Sequence, residues 1–209
     1  EEEKLDWGGT EQTVVVHKAF LVNDNVKQFY RDNNKERFLD TVCTRFLAAL
    51  EKKGLIELCW HTETIWEHAG LPRTQNKYGV FHGAKLKHVD NPFPYSRIIA
   101  SGNGIKKIDY QFDFYKSINN DRYDELKNLT NVHAQVKENR IKSQMADAFH
   151  ILCAERSKCD YFVTIDYSLV KNVGSSTIKP KTKITTPAKL MSSLLRKKPC
   201  WVWNVLLEV

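Results

Sequence analysis

Residues 139–170 read NRIKSQMADAFHILCAERSKCDYFVTIDYSLV, and this stretch decides the fold. Ile141, Met145, Ala148, Phe149 and Leu152 recur at helical spacing, which predicts an amphipathic helix of about five turns. Ser157, Lys158 and Cys159 interrupt it. Tyr161, Phe162, Val163 and Ile165 then form a short apolar run rich in β-formers, the composition of a strand buried on both faces. The run ends on an acid, Asp166. A helix delivered directly into a buried strand is an α/β arrangement, and open α/β sheets collect ligands at the carboxyl ends of their strands. A second acid, Asp147, lies inside the helix at the border of the apolar stripe, one turn before Ile151. A carboxylate there is commonly solvated or capping, but it can also look toward the sheet edge.

The string ADAFHILCAERSKCDYFVTIDYSLV (146–170) resembles the later half of a PIN domain, the metal-dependent nuclease fold. In that family an acid on a helix is followed by a buried strand ending in Thr-x-Asp. KITTPAKLMSSL (183–194) resembles the family's closing strand and its Thr-Pro step into a last helix. The likeness runs mainly over residues 139–195, with weaker matches at 13–24 and 55–71. It implies a three-layer α/β/α fold around a central, mostly parallel sheet, forming a single domain over 13–209. Residues 1–12 are expected as a tail or linker and 73–137 as an insertion. Buried-strand composition places core strands at Val14–Val16, Leu58–Trp60, Tyr161–Ile165 and Lys183–Thr185.

The resemblance also implies a chemistry: metal-dependent endoribonuclease action on the phosphodiester bonds of single-stranded RNA, with Mg²⁺ or Mn²⁺ as cofactor. Asp147 and Asp166 would be the principal metal ligands, and Glu67 a supporting ligand or water-orienting base. Thr164, two residues before Asp166 on the same side of the strand, would hydrogen-bond the metal water or the phosphate. The family's first strand ends on an acid that binds the metal; the matching position is His17, and the acid that would substitute for it is Asp24, farther on. Imidazole suits Mn²⁺ better than Mg²⁺. Clustered carboxylates repel one another, and a divalent cation relieves that repulsion while activating water for in-line attack. His17 also raises the alternative of a catalytically degenerate PIN-like domain that docks RNA or protein.

Along the rest of the chain, helices are expected at 25–30 and 35–50. Phe38, Val42, Phe46 and Leu50 share one face of the second, and Gly54 ends it. A strand from Leu55 to Trp60 precedes a helix capped by Thr62, in which Glu63 reads as a first-turn acid complementing the dipole. Glu67 reads equally as a ligand or a solvated helix acid. Within 73–137, SRIIASGNGIKKI (96–108) predicts a hairpin turning at Gly-Asn-Gly, and a polar helix covers 121–129. Tyr110, Phe112, Phe114 and Tyr115 are either core aromatics or, interleaved with lysines, a nucleic-acid rim. VGSSTIKPK (173–181) reads as a loop, and Trp201 and Trp203 alternate in a terminal edge strand.

Hydrophobic residues make up 42% of the 209 and charged ones 27%, which suits a globular protein and excludes bulk disorder. No apolar run approaches the roughly 20 residues that span a bilayer, and nothing resembles a signal peptide. The five cysteines lack a C-x-x-C pair, which points to reduced thiols in an intracellular, cytoplasmic setting without a zinc site. No glycine-rich phosphate loop follows Val16. The first residue is Glu, as in a segment of a longer chain. Lys and Arg outnumber Asp and Glu by 32 to 25, a net charge of +7. Lys85 and Lys87, Lys106 and Lys107, Lys171 to Lys183, and 196–198 form basic patches suited to a phosphate backbone.

Overall fold

The structure is a computed structural model that describes residues 12–16, 34–64, 80–93, 107–130 and 138–197. In chain order the elements are β1 (Gln12–Val16), α1 (Lys35–Lys52), β2 (Ile56–Trp60), β3 (Leu86–His88), α2 (Lys107–Ser117), α3 (Asp121–Leu129), α4 (Glu138–Arg156), β4 (Tyr161–Val163), α5 (Tyr167–Ser175), β5 (Lys183–Thr185) and α6 (Pro187–Lys197). The strands form one five-stranded sheet in the order β3-β2-β1-β4-β5, and every neighbouring pair is parallel. The chain is therefore mixed α/β with a parallel sheet.

Strand residues alternate between two cores, as the pleat requires. Ile56, Leu58, Tyr161 and Val163 pack with Cys43, Leu47 and Leu50 of α1 and with Leu190 and Met191 of α6. Cys59 and Phe162 face the other way, against Phe112 and Tyr115 of α2, Tyr123 and Leu126 of α3, and Phe149 and Leu152 of α4. Strand β4 is buried throughout, as its composition predicts, but it ends at Val163 rather than Ile165. Thr164 N–H still donates to Thr185 C=O at 3.0 Å, and beyond it the amide of Asp166 turns back onto the hydroxyl oxygen of Thr164, at 3.0 Å.

Helix ends are set by local chemistry. Asn34 caps α1, its side chain accepting from the amide of Arg37 at 3.0 Å. Beyond the last turn, Gly54 takes a left-handed φ of 68°, with Leu55 N–H on Leu50 C=O at 2.9 Å and Gly54 N–H on Glu51 C=O at 2.8 Å. That is a Schellman ending. The end of α4 repeats it through Cys159 and Ala154 (2.9 Å) and Lys158 and Glu155 (3.1 Å), with non-glycine Lys158 at φ 56°.

Several expectations need correction. Where it is described, the segment 73–137, expected as an insertion, supplies β3 to the sheet and α2 and α3 to the core. Lys107 and Ile108, expected in a hairpin arm, open α2 instead. Phe112 and Tyr115 are core residues and Phe114 packs beside them, so these three do not form a nucleic-acid rim. Residues 167–175, where 173–175 read as loop, are helix α5. The buried face of α1 carries Asp40, Cys43, Thr44, Leu47 and Leu50, rotated from the Phe38–Val42–Phe46 line. The polar members of that face are satisfied, which is why they can be inside. Asp40 accepts from the amide of Ala188 at 2.8 Å and from the Tyr167 hydroxyl, joining α1, α5 and α6. The expected tail, the 25–30 helix and the 201–209 strand lie outside the described residues, apart from Gln12 in β1.

Candidate active site at the carboxyl ends of the strands

Strand β1 is central, with β2 and β3 to one side and β4 and β5 to the other. The order reverses between β1 and β4, and in open parallel sheets the crevice at that reversal is where ligands bind. Val16 pairs with Val163, so β1 and β4 end side by side at this edge, and Thr164 follows β4 there. His17 itself, Asp24 and Glu67 lie outside the described residues.

Asp166 is placed by two local devices. Its amide donates to Thr164 Oγ1, and its Oδ1 accepts from Ser168 N–H (2.9 Å) and Leu169 N–H (3.1 Å) as the N-cap of α5. One carboxylate oxygen is committed to the helix; Oδ2 makes no hydrogen bond among the described residues. Thr164 is 1% exposed, and its hydroxyl oxygen accepts from the amide of Asp166, so it helps to position that residue.

Asp147 stands on α4 with Gln144 and His150 at three-residue spacing, and all three are buried. This polar line is absent from the expectations, which saw only Asp147 at a border. Its partner is the segment after β2: His61 Nε2 and His150 Nδ1 are 2.6 Å apart, one donating and the other accepting. Residues 62–64 are helical, so Thr62 lies within the turn rather than capping it, and its hydroxyl meets His88 Nε2 at 3.2 Å. Glu63, expected as a first-turn acid, lies in that turn but inside the protein. It is fully buried, and the Tyr115 hydroxyl donates to its Oε2 at 3.1 Å. Burial, and then the charge of Glu63, push the Cys153 thiol well above its ordinary value, which keeps it unreactive.

Among the described residues, no group of three or more His, Cys, Asp or Glu side chains is arranged to hold a metal ion. The described part of the expected ligand set is Asp147 and Asp166. Of the expected nucleic-acid contacts, Lys87 is paired with Glu57 at 2.9 Å, and the amide of Lys85 donates to Glu51 at 2.8 Å. Lys171 is exposed on α5, Lys107 begins α2, and Lys106 is outside the described residues. Among the described residues no helix is long and apolar enough to cross a membrane.

Sequence adjacency hinted at part of this site. Thr164 and Asp166 share a strand end, and Asp147 and His150 share a helix face. Glu63 with Tyr115, and His61 with His150, are pairs 52 and 89 residues apart, with no local signal to link them. No family model and no curated protein matches the chain in sequence.

Proposed function

We propose that the chain is a PIN-type, three-layer α/β/α nuclease that hydrolyses single-stranded RNA with the help of a divalent metal ion. The observation that carries this reading is the position of two acids. Asp166 follows β4 as the N-cap of α5, after a strand that flanks the strand-order reversal, and Asp147 lies on the helix that leads into β4. Mg²⁺ is commonly held by one or two carboxylates, with waters and substrate phosphates completing its shell. Asp147 and Asp166 suit such an ion, and Mn²⁺ equally; they do not suit an all-protein cage. When bound, the ion supplies an activated water and offsets charge on the phosphoryl oxygens. The chain's own part is orientation. The two backbone amides on Oδ1 fix the Asp166 carboxylate and leave Oδ2 for the ion, and Thr164 holds the turn that carries it. His17, which follows β1 in sequence, and Glu67, which follows β2 in sequence, complete the proposed ligand set. An intracellular, reducing setting belongs to the same proposal, supported by four buried thiols at Cys43, Cys59, Cys153 and Cys159.

The test is cleavage of a labelled single-stranded RNA with Mn²⁺, Mg²⁺ or EDTA, using wild type, Asp166→Asn and His17→Asp. The expected result is Mn²⁺-favoured cleavage by wild type, none by Asp166→Asn, and increased Mg²⁺ activity in His17→Asp. Inactive wild type rescued by His17→Asp would identify a disabled nuclease. Inactivity of all three with every metal would replace the enzyme reading with that of a docking module.

A further inference from the structure

Positive charge is concentrated in one segment. Residues 167–198 contain eight Lys or Arg and no Asp or Glu, so the segment carries +8 while the rest of the chain, with 24 basic and 25 acidic residues, carries −1. The fold wraps the described part of this segment, 167–197, around the β5 edge of the sheet. Helix α5 contributes Leu169 and Val173 to one core, α6 contributes Leu190 and Met191 to the other, and β5 lies between them as the last strand. Lys171 on α5, Lys179 and Lys181 in the following loop, Lys183 on β5, and Lys189 and Arg196 on α6 are all exposed. None of the six is ion-paired among the described residues.

The loop is anchored without using its ammonium groups. Glu155 Oε1 accepts from the backbone amide of Lys181 at 2.8 Å, and Arg122 Nη2 donates to the carbonyl of Lys179 at 3.0 Å. Arg122 in turn grips Glu155 at 2.7 and 2.9 Å. Glu155 thus holds backbone and Arg122 rather than a lysine ammonium, while the Lys183 ammonium lies 5.8 Å from the centre of the Tyr161 ring. The opposite edge differs. On β3, Lys87 is neutralised by Glu57.

We infer that the α5–β5–α6 edge is a binding surface for the phosphate backbone of single-stranded nucleic acid, and that the β3 edge is not. A stripe of unpaired cations on rigid elements releases counterions from a polyanion without reading bases. Helix α6, at 11 residues, spans about 16 Å, enough for a few successive phosphates. A membrane surface fits less well, because interfacial binding needs apolar side chains beside the charges. The exposed large hydrophobic among the described residues is Leu39, on α1. The inference does not depend on the acids or on cleavage.

The experiment is fluorescence anisotropy with a labelled 20-nucleotide oligouridylate in EDTA, over a NaCl series, so that metal chemistry plays no part. The edge variant Lys171→Gln/Lys183→Gln/Lys189→Gln/Arg196→Gln is compared with wild type and with Lys85→Gln/Lys87→Gln. Four lost contacts at about 0.7 in log–log slope each lower the salt slope by roughly 2–3. The expected result is at least a tenfold loss of affinity in the edge variant and less than threefold in the β3 variant. The four single substitutions, which lie at exposed positions, are expected each to weaken binding in folded protein. Unchanged binding by the edge variant, or an equal loss in the β3 variant, overturns the inference. So does binding of wild type to phosphatidylserine vesicles in the absence of any binding to the RNA.

Discussion

Substitution separates the two roles of Asp166. Asn keeps an Oδ1 acceptor and caps a helix about as well as Asp, whereas Ala costs about 1–2 kcal/mol. Asp166→Asn is therefore expected to unfold at the wild-type urea midpoint while losing metal, and Asp166→Ala to lose stability as well; equal destabilisation by both would contradict the capping account. At Glu63, removing the Tyr115 hydroxyl takes one donor from a buried carboxylate. Tyr115→Phe is expected to destabilise by about 1–3 kcal/mol in the same assay, and a neutral result would mean that this bond contributes nothing. Cys43 carries a pH signature: burial first, then the nearby Asp40 carboxylate, push its thiol from 9.0 up to about 11. A proton held more tightly in the folded state gives stability that is full below about pH 9 and is lost as pH rises through about 11. The stability gap between wild type and Cys43→Ala should shrink from pH 8 to pH 11, and a constant gap would refute that assignment. Asp166 was legible in the sequence as the acid that ends an apolar run, which is a local fact; its capping of α5 was not, because that helix was not read. The burial of Glu63 was not, because its partner arrives from a helix on a distant segment.

Among the elements, the two Schellman endings invite a comparison. Gly54 and Lys158 occupy the same left-handed position, and a side chain there costs about 1–2 kcal/mol. Lys158→Gly is expected to raise the melting temperature, by an amount corresponding to about 1 kcal/mol; a lowered melting temperature would show that the lysine side chain contributes more than the strain it causes. Strong periodicity made α1 and α4 legible, and continuous apolar composition did the same for β4. Helix α5 was missed because Gly174, Ser175 and Ser176 read as a turn, while its start rests on the Asp166 cap. Strand β3 was missed because it is three residues long, with a half-buried Leu86 followed by exposed Lys87 and His88, so it offers no apolar run. The face of α1 was misjudged for a different reason. Asp40 reads as a solvent residue until Tyr167 and Ala188 fold against it.

For the whole molecule, the expected α/β class and parallel pairing of the four named core strands hold, and the strand order places a reversal beside β1 and β4. Charge segregation onto the β5 edge was present in the sequence but acquires meaning only when the fold gathers α5, β5 and α6 around one strand. Function follows from whether the acids at the reversal bind an ion. The most direct measurement is a Mn²⁺ titration of the full chain followed by electron paramagnetic resonance, in which bound Mn²⁺ loses the sharp signal of the free ion. It is repeated on Asp147→Asn/Asp166→Asn after that variant is shown to unfold cooperatively. The nuclease account predicts that wild type withdraws the free-ion signal, that excess Mg²⁺ restores it, and that the double variant leaves the signal unchanged. Equal Mn²⁺ binding by the two proteins, or none by wild type at millimolar metal, would contradict it.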